Sequence, residues 1–247
     1  MKPLISEQRQ SIIFDEFLAS RGLLEMWEHI EATNPGAGNA YHNTRHMYAV
    51  AQLGLDLLRV CPEYIGMNIE DRFCSELTVV TAGLWHDYGH TAGVLTDAEN
   101  IEIATNAFIT YVEASMNAPQ RPGFSLVWES FSHVVGDVVN ALRVTEFPFV
   151  HAPVTIEQRV IRDADLLYTF CNSTSTILGG LYAELLPKLN DMSFTDFVKG
   201  QQAFHDNVVL FTPIGKTIHR KQAALIIETQ TEFAALLARH DKKAVTE

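Results

Sequence analysis

Cysteine is scarce and unpatterned. Cys61, Cys74 and Cys171 are the three cysteines in 247 residues, far apart and without a CxxC spacing. That excludes a disulfide framework and a thiolate metal site, and they read as buried apolar residues of a reducing compartment. Positive charge is also short, with 18 Lys and Arg against 30 Asp and Glu and a net charge of −12. Such a surface repels a polyanion, which argues against duplex nucleic acid as a partner. A small phosphorylated ligand stays compatible, because a bound cation inverts the local field. No apolar stretch approaches the roughly 18 residues of a membrane span, and the opening MKPLISEQRQ lacks the apolar core of a signal peptide. The expectation is a soluble cytoplasmic protein with no membrane partner; homo-oligomerisation stays open. Low-complexity linkers, internal repeats and hairpin signals are missing too.

What remains is ordinary globular material, 47% hydrophobic and 19% charged, long enough to bury a core without staples. Helical periodicity runs through it, and the expected fold is all-α, one compact helical bundle over 1–247. Ile12, Ile13, Phe17, Leu23 and Leu24 outline an N-terminal amphipathic segment ending at the turn-rich 34–39. Helices are predicted over 41–60, with Val50, Leu53, Leu57 and Leu58 inward, and over 70–87. Asp97 is the predicted N-cap of a helix ending before Pro119. Further helices are predicted over 125–145, 155–171, 174–190, 194–210 and 216–239, the fourth of these opened by Ser193 and Asp196 as a capping box. A polar tail follows from Asp241 to Glu247.

Histidines and carboxylates fall where they are costly. His42 and His46 are four apart in a helical stretch and project from one face. His86 and Asp87 close an apolar helix, His90 follows four residues on, and Asp163 and Asp165 interrupt an otherwise apolar helix. Buried imidazoles and carboxylates need partners or a cation. A divalent ion held by His46, His86, Asp87 and Asp165 satisfies all four, and Asp87 has a second oxygen for a second ion. Zinc, iron, manganese and magnesium suit mixed imidazole and carboxylate donors. The plainer reading, hydrogen-bonded core histidines, stands beside it on spacing alone. His29, His151, His205, His219 and His240 read as surface or packing residues, and His133 as structural.

Tyr41-His42-Asn43-Thr44-Arg45-His46 resembles the YHNxxH segment of class I cyclic-nucleotide phosphodiesterases and related HD-domain phosphohydrolases. His86-Asp87-Tyr88-Gly89-His90-Thr91-Ala92-Gly93 is similar to their HDxxHxG segment, and Ala164-Asp165-Leu166 to the segment supplying their last metal ligand. The resemblance spans about 125 residues from Tyr41 to Asp165. It implies His46, His86, Asp87 and Asp165 as ligands of a first ion (zinc, iron or manganese), with Asp87 bridging to a second (magnesium or manganese). It implies His42 as the acid that protonates the leaving oxygen and His90 as a neighbour of the bridging water. Asp163 is the alternative last ligand. Gln201 and Phe204 match the spacing of the glutamine and phenylalanine that hold the base, beside the plainer reading of a two-faced helix. Val144-Thr145-Glu146 is similar to the family's ATD segment. The family's asparagine after HDxxHxG is replaced by Val94-Leu95-Thr96, and 97–104 and 210–212 look more like small bacterial HD phosphohydrolases.

The chemistry implied is hydrolysis of a phosphate ester by metal-activated water. Arg45 is a second contact for the phosphate or a solvent-facing salt bridge. A phosphodiesterase acting on a cyclic or other nucleotide leads. A nucleotidase or phosphomonoesterase, and a catalytically silent nucleotide-binding protein, are the alternatives.

Overall fold

Asn43, Asn68, Thr155 and Ser193 each turn a side-chain oxygen onto the first turn of a helix, and so decide where four helices begin. The computed structural model describes residues 7–117, 125–188 and 192–244. In chain order the helices are α1 (Glu7–Ser20), α2 (Leu24–Thr33), α3 (Thr44–Arg59), α4 (Pro62–Gly66), α5 (Ile69–Trp85), α6 (Asp97–Asn117), α7 (Ser125–Arg143) and α8 (Ile156–Cys171). One continuous helical stretch follows, wound as α9 (Thr174–Thr176), a π-helical turn (Ile177–Tyr182) and α10 (Ala183–Leu185). Then come α11 (Phe194–Asn207) and α12 (Pro213–Ala244). The described residues form one all-helical domain and contain no strand. None of their helices is long and apolar enough to cross a membrane.

α3, α5 and α8 pack on one another at the centre, with α7 on α5 and α12 on α8 and α11. Trp85, Phe108, Phe131 and Phe170 are fully buried there. α3 and α5 meet almost backbone to backbone. A Cβ on Gly83 would lie 2.5 Å from the Cα of Ala51, and one on Gly54 would lie 2.9 Å from Val79. The antiparallel register that pairs 54 with 79 and 51 with 83 carries His46 and His86 to the same end. Gly83→Ala is therefore expected to destabilise by about 1–3 kcal/mol through overpacking. Chemical denaturation reads this, and an unchanged midpoint would mean that α3 gives way freely.

Several boundaries differ from expectation. The N-terminal segment is two helices, broken where Gly22 takes φ 67° and Leu23 N donates to Leu18 O at 2.8 Å. Phe14 and Leu18 face the core there, whereas Ile12 and Ile13 are half exposed. His42 lies outside α3, because Asn43 caps it. Thr96, not Asp97, caps α6: its hydroxyl accepts from Glu99 N at 3.3 Å while Glu99 accepts from Thr96 N at 2.8 Å. The predicted helix over 174–190 runs without interruption from 174 to 188, with a π turn over Ile177–Tyr182, and 189–190 lie outside the described residues. α11 stops at Asn207 rather than 210. α12 opens at Pro213 rather than 216, and runs through Ala244, taking in much of the expected polar tail. The predicted end before Pro119 lies next to undescribed residues. Cys61 is buried and Cys74 half-buried, both free; the Cys171 side chain is outside the description.

Candidate metal centre and cleft

At the joined ends of α3 and α5, Nε2 of His46 and Nε2 of His86 are 3.1 Å apart. Both lie 3.1 Å from Asp87 Oδ2. Asp165 Oδ1, from α8, is 3.3 Å from the first and 3.6 Å from the second. His86 Nδ1 donates to Gly83 O at 2.9 Å, so in the neutral ring Nε2 carries the lone pair. That lone pair faces two carboxylate oxygens and another imidazole. Asp87 Oδ2 is buried without a hydrogen bond, as is His46 Nδ1. Lone pairs aimed at lone pairs repel unless a cation or protons lie among them. Bonds of about 2.0–2.2 Å to one ion would set neighbouring donors roughly 3–3.5 Å apart, the spacing seen here. The donor set therefore fits a divalent ion.

Charges reflect the same crowding. Burial alone would lift the Asp87 and Asp165 carboxyls, but the adjoining imidazoles hold both well below the usual carboxylate range. His86 moves the opposite way, with burial opposed by Asp87 and Asp165 and the proton held well above the ordinary histidine value.

Asp163 takes no part in this cluster. Its carboxylate accepts from Phe211 N (2.9 Å), Thr212 N (2.7 Å) and Thr212 Oγ1 (2.7 Å), and so holds the start of α12. Arg162 beside it donates to Val144 O and His151 O and lies 4.3 Å over the Phe149 ring. Val144-Thr145-Glu146 thus belongs to a loop held by α8, with Glu146 paired to His151 at 3.5 Å. Asp163 and Asp165 separate as two helical positions must.

A second group adjoins the first. His42, His90 and Glu184 bring one donor atom each within 4.8 Å of one another, as do His46, His86 and Asp165. Hydrogen bonds account for most of the second group. Glu184 accepts from Tyr41 N (2.7 Å), His42 N (3.1 Å) and His42 Nδ1 (2.5 Å). His90 Nδ1 accepts from Ala92 N at 3.2 Å, leaving its proton on Nε2, 3.9 Å from Asp97 Oδ1. Asn39 Nδ2 donates to His42 O and His90 O, tying the two loops together. The rings of His42 and His90 lie 4.0 Å apart. Burial and the neighbouring His42 push His90 down to about 4. His42 is raised despite its burial, because Asp87 and Glu184 favour its charged form. Two stacked imidazoles cannot both be charged, and the carboxylates choose His42.

Both groups open on a cleft of about 430 Å³ lined by His42, His90, Asp97, Asp165, Gln201 and Phe204. Leu95, Leu166, Leu181, Leu185, Phe147 and Phe149 complete its apolar wall, and no Lys or Arg among the described residues lines it. Phe147 sits edge-to-face with Phe204 at 5.7 Å and with Phe149 at 5.4 Å. Gln201 and Phe204 are thus brought to the cleft, whereas Arg45 and His133 are exposed on their helices.

Sequence reasoning missed Glu184 and the placing of Asp97. Glu184 left one signal: it is the lone charge in the otherwise apolar run 177–186. Asp97 was taken for a cap, but its Oδ2 accepts from Phe147 N at 2.5 Å. Burial, together with Asp87 and Asp165, raises its carboxyl to about 6 even though that bond pulls it down.

His205 is a packing residue, as expected, but a strained one. It is buried, both ring nitrogens lack hydrogen bonds, and burial with the nearby His219 pushes it down to about 4. Unfolded, it takes a proton below about 6.5, so the unfolded chain binds more protons and stability falls as pH drops from about 6.5 to about 4. His205→Leu removes both the unpaired nitrogens and this acid loss. The variant is expected to gain on the wild type by about 2 kcal/mol between pH 7.5 and pH 5 in urea titrations. A constant gap would mean that His205 titrates normally.

Compared with known proteins, the chain matches no family model, no curated protein and no solved structure.

Proposed function

We propose that the chain is a metal-dependent phosphohydrolase of the HD-domain type, acting as a phosphodiesterase on a cyclic or other nucleotide. The convergence of His46, His86, Asp87 and Asp165, with the His86 lone pair turned toward the carboxylates, carries the reading. These four residues would hold the first ion (zinc, iron or manganese), and Asp87 has a second oxygen for another (magnesium or manganese). Bound ions lower the pKa of coordinated water and neutralise charge on a phosphoryl oxygen.

The remaining work falls to the chain's own groups. Glu184 orients His42 through Nδ1 and raises its hold on a proton. His42 then keeps that proton near neutral pH and delivers it to the leaving alkoxide. His90, kept neutral, donates from Nε2 toward the same space. Gln201 and Phe204 would take the edge and face of a base. A wall with no Lys or Arg among its described residues favours a singly charged diester over a dianionic monoester.

The test joins metal analysis to turnover. Manganese-supplemented protein is given bis(p-nitrophenyl) phosphate, p-nitrophenyl phosphate, cyclic AMP and cyclic GMP, with His86→Ala and Asp87→Ala as controls. Diester turnover lost in both variants is the expected result. Monoester turnover alone would replace the diesterase with a phosphomonoesterase, and wild-type protein that binds no metal would end the reading. Bound metal with no turnover of any of these would leave a nucleotide-binding protein.

A further inference from the structure

Asp97 is the carboxylate of the cleft that has no cation in contact with it among the described residues. Asp87 and Asp165 face the imidazoles and, on the proposed reading, an ion. Glu184 is matched by His42. Among the described residues Asp97 meets His90, which stays neutral near pH 7, and a backbone N–H, while the positive charge of His42 acts on it without contact. Its Oδ1 has no hydrogen bond within 3.5 Å, and the side chain keeps 28% of its surface exposed. Around it stand Leu95, Phe147 and Phe149, which screen charge poorly. Lys188 packs its amine against Gly93, but the side chain is exposed and outside the wall.

We propose that Asp97 is a specificity-determining residue: it admits phosphate esters whose organic part is uncharged or cationic and rejects those bearing a second anion. This rests on the phosphohydrolase reading and narrows its substrate class to esters with one negative charge. Rejection by an unpaired like charge is an established route to selectivity. The aromatic rings of Phe147 and Phe204 add to it, since aromatic faces attract cations and repel anions.

The test compares thymidine 5′-(p-nitrophenyl phosphate) with the same compound phosphorylated at the 3′ oxygen, at about pH 8 where Asp97 is ionised. In wild type the added phosphate is expected to lower kcat/KM by about tenfold or more. Asp97→Asn keeps the acceptor for Phe147 N–H and removes the charge, and should bring the two substrates within about threefold. The ratio is internal, so a general loss of activity in the variant does not disturb it. Equal turnover by wild type, a preference for the second phosphate (which would point to Lys188), or an unchanged ratio in Asp97→Asn overturns the proposal. If the variant does not fold, the wild-type ratio and its decrease with added KCl decide. If neither ester turns over, the hydrolase reading fails separately. The inference is then read from calorimetric binding of thymidine 5′-phosphate against thymidine 3′,5′-bisphosphate, where equal affinities overturn it.

Discussion

On the proposed metal-site reading, Asp165→Asn is expected to lose metal binding and diester turnover together, while Asp163→Asn keeps metal binding and loses stability. The two carboxylates are two residues apart and oppositely employed. Asp165 Oδ1 faces both imidazole Nε2 atoms, and an amide in its place weakens the donor set and removes the charge that an ion needs. Partners of ligands alone alter activity by about 10–100-fold, so loss of a ligand should exceed that range. Asp163 instead gathers two backbone N–H groups and a hydroxyl at the start of α12. An amide there turns a donor onto donors, at about 2–3 kcal/mol. Metal content, p-nitrophenolate release and urea midpoints measured on both variants separate the roles. Loss of metal in a folded Asp163→Asn protein would reverse the assignment.

The second large effect concerns His42. Its replacement by Ala should slow hydrolysis of a diester with an alkoxide leaving group by about 10²–10⁴-fold. The loss should be much smaller for a p-nitrophenyl ester, whose phenolate departs without a proton. Glu184→Gln still offers an oxygen to Tyr41 N and His42 N but no longer holds charge against the ring. It should move the same way by about 10–100-fold and shift the alkaline limb of the pH–rate profile to lower pH, since Glu184 is among the groups that hold the proton on His42. A His42→Ala loss that is equal for both leaving groups would show that the residue shapes the cleft rather than supplying a proton.

Legibility differed between parts for physical reasons. The cap at Ser193 is local, and three or four residues suffice to announce it, while the equally local box of Thr155 and Gln158 went unread. His46 and His86 were joined in the sequence by the cost of burying them and by the family resemblance, whereas the small residues Ala51, Gly54 and Gly83 that bring their helices together went unread. Asp163 and Asp165 could not be told apart, because the choice depends on where α12 begins, about fifty residues on. Glu184 and Asp97 make their contacts 142 and 50 positions away in the chain. The Gly22 break was hidden because apolar positions continue across it in nearly helical spacing. The π turn within 174–190 was hidden because it keeps the composition of an α-helix.

That π turn, Ile177–Tyr182, stands just ahead of Glu184. Such turns arise where a helix carries one residue more than its regular winding needs. Loss of a single codon there, Gly179 for example, would let the helix close into ordinary register. Everything downstream would then swing by about 100°, and Glu184 would leave His42. On most helix surfaces a one-residue deletion is repaired by the next loop. Here the surplus residue makes the spacing heritable, and lineages of this chain should tolerate substitutions in 177–182 far better than changes of length.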